Sequence, residues 1–177
     1  MTDETVDRAF RQHPSFEKSG EAEFEYTATP FEGVVTVSDS EDADDDATRE
    51  YRVVVRAPVL DAVVEGETVA EVVRSGWFET LERRLADAHT VTRTESASPP
   101  DIRRAGEEVV VVVTFAREDP EYAAEDAQAV VDYVEGTWVQ GIIPGYDYRE
   151  PAAGLLERAT ENYDDDGQTG PSGAPPL

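Results

Sequence analysis

Cysteine is missing from all 177 residues, which excludes a disulfide framework, a thiolate metal site and a cysteine nucleophile. Histidine is confined to His13 and His89, so no pair stands at the helical spacing of metal ligands. Lysine occurs once, at Lys18, and the arginines are scattered: only Arg83-Arg84 and Arg103-Arg104 are adjacent, with acids close to both. Gripping nucleic-acid phosphates takes clustered Lys and Arg, so no nucleic-acid partner is expected. No apolar run approaches the ~20 residues of a membrane span, so no membrane partner is expected either. Met1-Thr2-Asp3-Glu4 is acidic where a secretory leader would be basic, and a cytoplasmic location is the expectation. A Gly-x-Ser-x-Gly elbow, a phosphate loop and a dinucleotide fingerprint are also lacking, and no cofactor is expected.

What the chain holds in excess is acid: 40 Asp and Glu against 15 Lys and Arg, a net charge of −25. At low ionic strength such charge opposes a compact state. At ~1 M salt the Debye length falls to about 3 Å and the repulsion is screened. Short carboxylates hold water and hydrated cations non-specifically, whereas lysine exposes a long apolar stem, so this surface stays wet in brine. An acidic disordered chain would be poor in aromatics. Here hydrophobic residues make up 39 %, and two Trp, seven Tyr and six Phe sit within periodic segments, as a folded domain requires. The composition resembles that of salt-in haloarchaeal proteins. Carboxylates are so frequent that any two form an apparent catalytic pair, and their spacing carries no information.

Glu4 to Gln12 places Val6, Ala9 and Phe10 at helical spacing and stops at His13-Pro14. Glu21 to Thr29 alternates, with Ala22, Phe24, Tyr26 and Ala28 on one face, and predicts a strand. A turn at Pro30 to Gly33 leads to a second strand, Val34 to Val37. Residues 39–46 hold six acids and read as a solvated loop; the glycine and distal glutamate of a calcium loop are missing. Glu50 to Ala57 is a third strand. Thr68 to Ala88 carries Val69, Val72, Val73, Trp77, Leu81 and Leu85 on one helical stripe, with Gly76 marking a bend or break. Thr90 to Glu95 predicts an edge strand, Ser96 to Gly106 a loop, and the valine run from Glu108 to Phe115 a central strand buried on both faces. Asp119-Pro120-Glu121 combines an N-cap acid, a first-position proline and a first-turn acid, so a helix begins there and runs through Trp138. A last short helix follows Pro151.

The fold class read from this order, α-β-β-β-α-β-β-α-α, is α+β: a mostly antiparallel sheet of about five strands with helices packed on one face. Residues 1–162 form one domain, and residues 163–177, rich in Gly, Pro and Asp, read as a disordered tail. The order over residues 1–138 resembles the fold of type III secretion chaperones. Gly76 to Glu82 (Gly-Trp-Phe-Glu-Thr-Leu-Glu) and Ile142 to Tyr148 (Ile-Ile-Pro-Gly-Tyr-Asp-Tyr), set in this acidic composition, resemble an uncharacterised haloarchaeal family. Neither motif implies an activity.

The binding candidates lie where apolar residues gather on a loop. Trp138, Ile142, Ile143, Tyr146, Asp147 and Tyr148 surround two glycines and a proline, a composition typical of recognition loops. Trp77 and Phe78, adjacent on a helix, point to different sides and form the second candidate. The same loop read structurally is a lid over the core. His13 and His89 sit at element ends, where a histidine serves structure. These features predict a non-enzymatic domain that binds a protein partner or a second copy of itself; a small-molecule pocket under the 138–148 loop, using Tyr146, Asp147 or His89, is the alternative.

Overall fold

The computed structural model describes residues 4–40 and 47–167. Six strands, Phe16–Gly20 (β1), Glu23–Tyr26 (β2), Glu32–Asp39 (β3), Arg49–Pro58 (β4), Asp101–Ala105 (β6) and Glu108–Arg117 (β7), form an antiparallel sheet in the order β1-β2-β3-β4-β7-β6. A separate ribbon pairs Val64–Glu65 (β5) with Asp147–Tyr148 (β8). The helices are Glu4–Gln12 (α1), Leu60–Val63 (α2), Glu71–Leu85 (α3), Pro120–Gln140 (α4) and Ala152–Gly167 (α5). The fold is α+β.

Alternation along the strands decides which face the helices cover. Tyr51, Val53, Val55 and Ala57 of β4 lie opposite Phe115, Val113, Val111 and Val109 of β7, and all eight are buried. Phe10 of α1 stacks on Phe24 at 4.7 Å and on Tyr51 at 5.9 Å between ring centres, closing one end of this layer. Helix α4 lies over Gly33, where an added Cβ would stand 3.4 Å from a Val131 methyl and 3.3 Å from the Tyr26 Cβ. Glycine there lets the helix settle onto the sheet. Asp119 caps α4 as its sequence predicts, its carboxylate accepting from the backbone N–H groups of Glu121 and Tyr122, a cap that contributes about 1 kcal/mol.

Several expectations are corrected. Strands β1 and β6 lie outside the segments expected as strands, because each carries a single large apolar side chain and shows no alternation. Strand β1 also slips in register between Lys18 and Gly20. Strand β2 ends at Tyr26, and Ala28 is exposed, because the Thr29 hydroxyl accepts the N–H of Phe31 and turns the chain before Pro30. The strand expected at Thr90 to Glu95 is instead a 3-10 turn, Ala88–Val91, followed by irregular chain. Its threonine hydroxyls donate to backbone carbonyls, Thr90 to Asp87, Thr92 to His89 and Thr94 to Ala116, and so compete with a ladder. Strand β7 is fifth of six rather than central, and Val112 and Thr114 on its outer side are only half-buried. Helix α3 begins at Glu71, three residues later than expected, and passes Gly76 without a break. Val69 is buried outside that helix, and Val72 is 78 % exposed. Most of the acidic loop and residues 168–177 lie outside the described residues; the first five residues assigned to the tail lie within α5.

Candidate functional site

Helix α4 ends at Gly141, whose N–H donates to the carbonyls of Thr137 and Trp138, and the chain turns out of the helix there. Gly145, at φ +104°, makes a second turn that an L side chain would strain. The turn returns Asp147 and Tyr148 to β5, where Val64 pairs with Tyr148 and Glu65 with Asp147. Arg149 fastens this return, its backbone N–H donating to Val63 at 2.8 Å and its guanidinium to Val64 at 3.0 Å. Tyr148 donates its hydroxyl to the Ile143 carbonyl across the loop. Burial, with Tyr146 nearby, raises the Tyr148 pKa above its ordinary value.

The structure separates the candidate loop residues into four environments. Trp138 is 0 % exposed, donates to the Pro58 carbonyl at 2.9 Å and meets Phe31 edge-on at 5.2 Å between ring centres. Ile142, Tyr146 and Tyr148 are half-buried against the core, and Asp147 is exposed. Of these loop candidates Ile143 alone joins a groove with Trp77. Phe78 faces elsewhere, with the Arg104 guanidinium 5.7 Å from its ring centre.

The groove lies between α3 and the end of α4 and encloses about 410 Å³. Val72, Val73, Trp77, Leu81 and Ile143 supply its apolar wall, and Thr137, Gln140 and Arg84 its polar atoms. The Trp77 Nε1–H is buried and has no acceptor among the described residues. Burying an amide-like donor without a partner costs about 1–3 kcal/mol. The groove therefore presents an apolar surface edged by one guanidinium, while the Trp77 N–H is buried behind that surface. Neither histidine lines it. His13 accepts the Ser15 N–H on Nδ1 at 3.2 Å, which leaves Nε2 to donate to Gln128 at 3.0 Å. His89 sits in the 3-10 turn after α3, half-buried.

Sequence reasoning missed Val72, Thr137, Gln140 and Arg84 as lining residues. Val72 fell on the apolar stripe, and only the late start of α3 reveals that it faces solvent.

Fold and groove together define a small α+β domain with helices on one side of an antiparallel sheet and an apolar cleft between two of them. The chain belongs to the family of unknown function DUF5813, whose model matches residues 11–158. Neither the curated proteins nor the solved structures provide a match. Among the described residues no helix is long and apolar enough to cross a membrane.

Proposed function

We propose that this protein is a non-enzymatic binding domain that takes an apolar segment of another protein into the cleft between α3 and α4. The observation that carries this reading is the apolar wall of the cleft, in which the Val72 side chain is 78 % exposed beside Trp77 and Ile143. The apolar side chains of a bound segment cover Val72, Val73 and Ile143. The setting that fits the −25 charge is a cytoplasm at molar salt, as in haloarchaea. A small molecule with an apolar body and one carboxylate, oriented by Arg84, is the second reading, favoured by a volume inside the ~300–1,000 Å³ range of ligand sites.

A photoreactive p-benzoylphenylalanine at position 72, irradiated in a lysate of the source organism at molar KCl, tests this. The expected result is one protein adduct, mapping to one segment and lost when Ile143→Asp places a charge in the cleft wall. The same substitution at Tyr122, 50 % exposed elsewhere on the surface, controls for chance contact. An identical adduct pattern from both positions overturns the proposal. No protein adduct, together with a small molecule retained by the purified chain in native mass spectrometry, transfers the site to the second reading.

A further inference from the structure

Eleven described residues line the cleft between α3 and α4, and none of them is Asp or Glu. In a chain where 40 of 177 residues are acids, this is an exception. The hollow beside α1 holds Glu4 and Asp7, the one at the start of α4 holds Glu118, Asp119 and Glu121, and the one between α4 and α5 holds Glu135. Helical spacing produces the acid-free window. Val72, Gly76, Thr80 and Arg84 follow one another at intervals of four along α3, and Glu71, Glu79 and Glu82 lie outside the lining.

Arg84 stands at one end of this window, exposed and without an ion pair among the described residues. The Tyr133 hydroxyl of α4 donates to its backbone carbonyl at 3.0 Å and holds that end of α3 in place. Val72 marks the other end, about 18 Å away along the helix. Both walls are helices, whose backbone N–H and C=O groups are already bonded within them, so the cleft has no strand edge to offer. An extended segment laid there would find no protein partners for its own backbone, whereas a helix arrives with these groups paired.

We propose that the segment taken into this cleft is an amphipathic helix of about three turns that bears a carboxylate at the end beside Arg84. This partner chemistry rests on the cleft being a protein-binding site, and adds to it a conformation and a charge. Apolar side chains on successive turns of the bound helix cover Val72, Val73 and Ile143, and its carboxylate accepts from the Arg84 guanidinium at the rim. An exposed ion pair in molar salt adds little affinity. What it supplies is register, because only one end of the bound helix matches Arg84. On the other concave surfaces the same carboxylate meets the chain's own acids, which disfavours binding there.

Selection in molar KCl from phage-displayed random peptides of about sixteen residues, enough for three helical turns and their ends, tests this. Peptides that also bind Val72→Asp are discarded. The survivors are expected to carry apolar residues at helical spacing and Asp or Glu at one end, and a repeat of the selection on Arg84→Glu to bring Lys or Arg to that end. A synthetic survivor is expected to bind Arg84→Glu roughly fivefold more weakly than the wild type, and to lose its affinity when proline replaces its central residue. Val72 and Arg84 are both exposed, so neither variant disturbs the core, and unchanged circular dichroism spectra check this. Survivors that lack an acid, ignore Arg84→Glu or tolerate the central proline overturn the acidic helix and leave the cleft as a protein-binding site. A selection that yields no peptide able to tell the wild type from Val72→Asp overturns both.

Discussion

The indole N–H of Trp138 donates to the carbonyl of Pro58 at 2.9 Å, joining the last turn of α4 to the end of β4 across eighty positions of sequence. The indole is fully buried and Pro58 half-buried, so the bond is largely shielded from water. Trp138→Phe keeps most of the ring and orphans the carbonyl, and is expected to lower stability by about 1–3 kcal/mol. Trp138→Ala also opens a cavity in the core and is expected to cost about 3–5 kcal/mol. Urea titrations of the three chains at molar KCl check the order.

Asp126 anchors the irregular segment after α3. Its carboxylate accepts the Arg93 N–H at 3.1 Å and stands 3.4 Å from the Arg117 guanidinium, with only 2 % of the residue exposed. Burial raises its pKa, against the pull of these partners. Asp126→Ala leaves Arg117 enclosed without its counter-charge, and a loss of about 3 kcal/mol is expected. Thermal melts compare it with Glu125→Ala, whose exposed 3.9 Å contact with Arg93 is expected to contribute less than about 1 kcal/mol.

Alkaline pH acts through Tyr26. Its hydroxyl donates to Asp132 at 2.8 Å, and burial, then this carboxylate, pushes its pKa from 10 up to about 12. The folded chain thus holds this proton more tightly than the unfolded one. The stabilisation is complete below pH 10 and disappears as pH rises to about 12. Melting temperature against pH is expected to fall more steeply across that window for the wild type than for Tyr26→Phe.

Salt tests the composition. Dilution from molar KCl to roughly 0.1 M lengthens the Debye length to about 10 Å and restores repulsion among the acids. The melting temperature is expected to fall with each step of dilution. A melting temperature indifferent to KCl would detach the acidity from stability.

The long elements were legible because local chemistry and burial agree in them. Asp119-Pro120 announced α4, and the Tyr51, Val53, Val55 alternation announced β4, each matching the structure to within a residue or two. The edge strands were not legible: Asp101–Ala105 contains one isoleucine, and its ladder to β7 rests on backbone groups that any sequence supplies. Of the candidate site, Trp77 and Ile143 were named from composition, but their meeting is a product of how α3 packs on α4. Residues sixty-six positions apart carry no sign of each other in a single chain. The orphaned Trp77 N–H was equally hidden, since a missing partner is visible only once every neighbour is placed.

The slip in β1 between Lys18 and Gly20 has a consequence in concentrated salt. Dilute-solution proteins keep their open strand edges from adding foreign strands partly through net charge. At ~1 M salt that charge reaches only about 3 Å, and −25 no longer holds neighbouring molecules apart. Protection against fibre growth then falls to backbone shape. A bulged five-residue strand offers an incoming chain too few evenly spaced hydrogen bonds to template on, so this slip does by geometry what the acidic surface cannot do in concentrated salt.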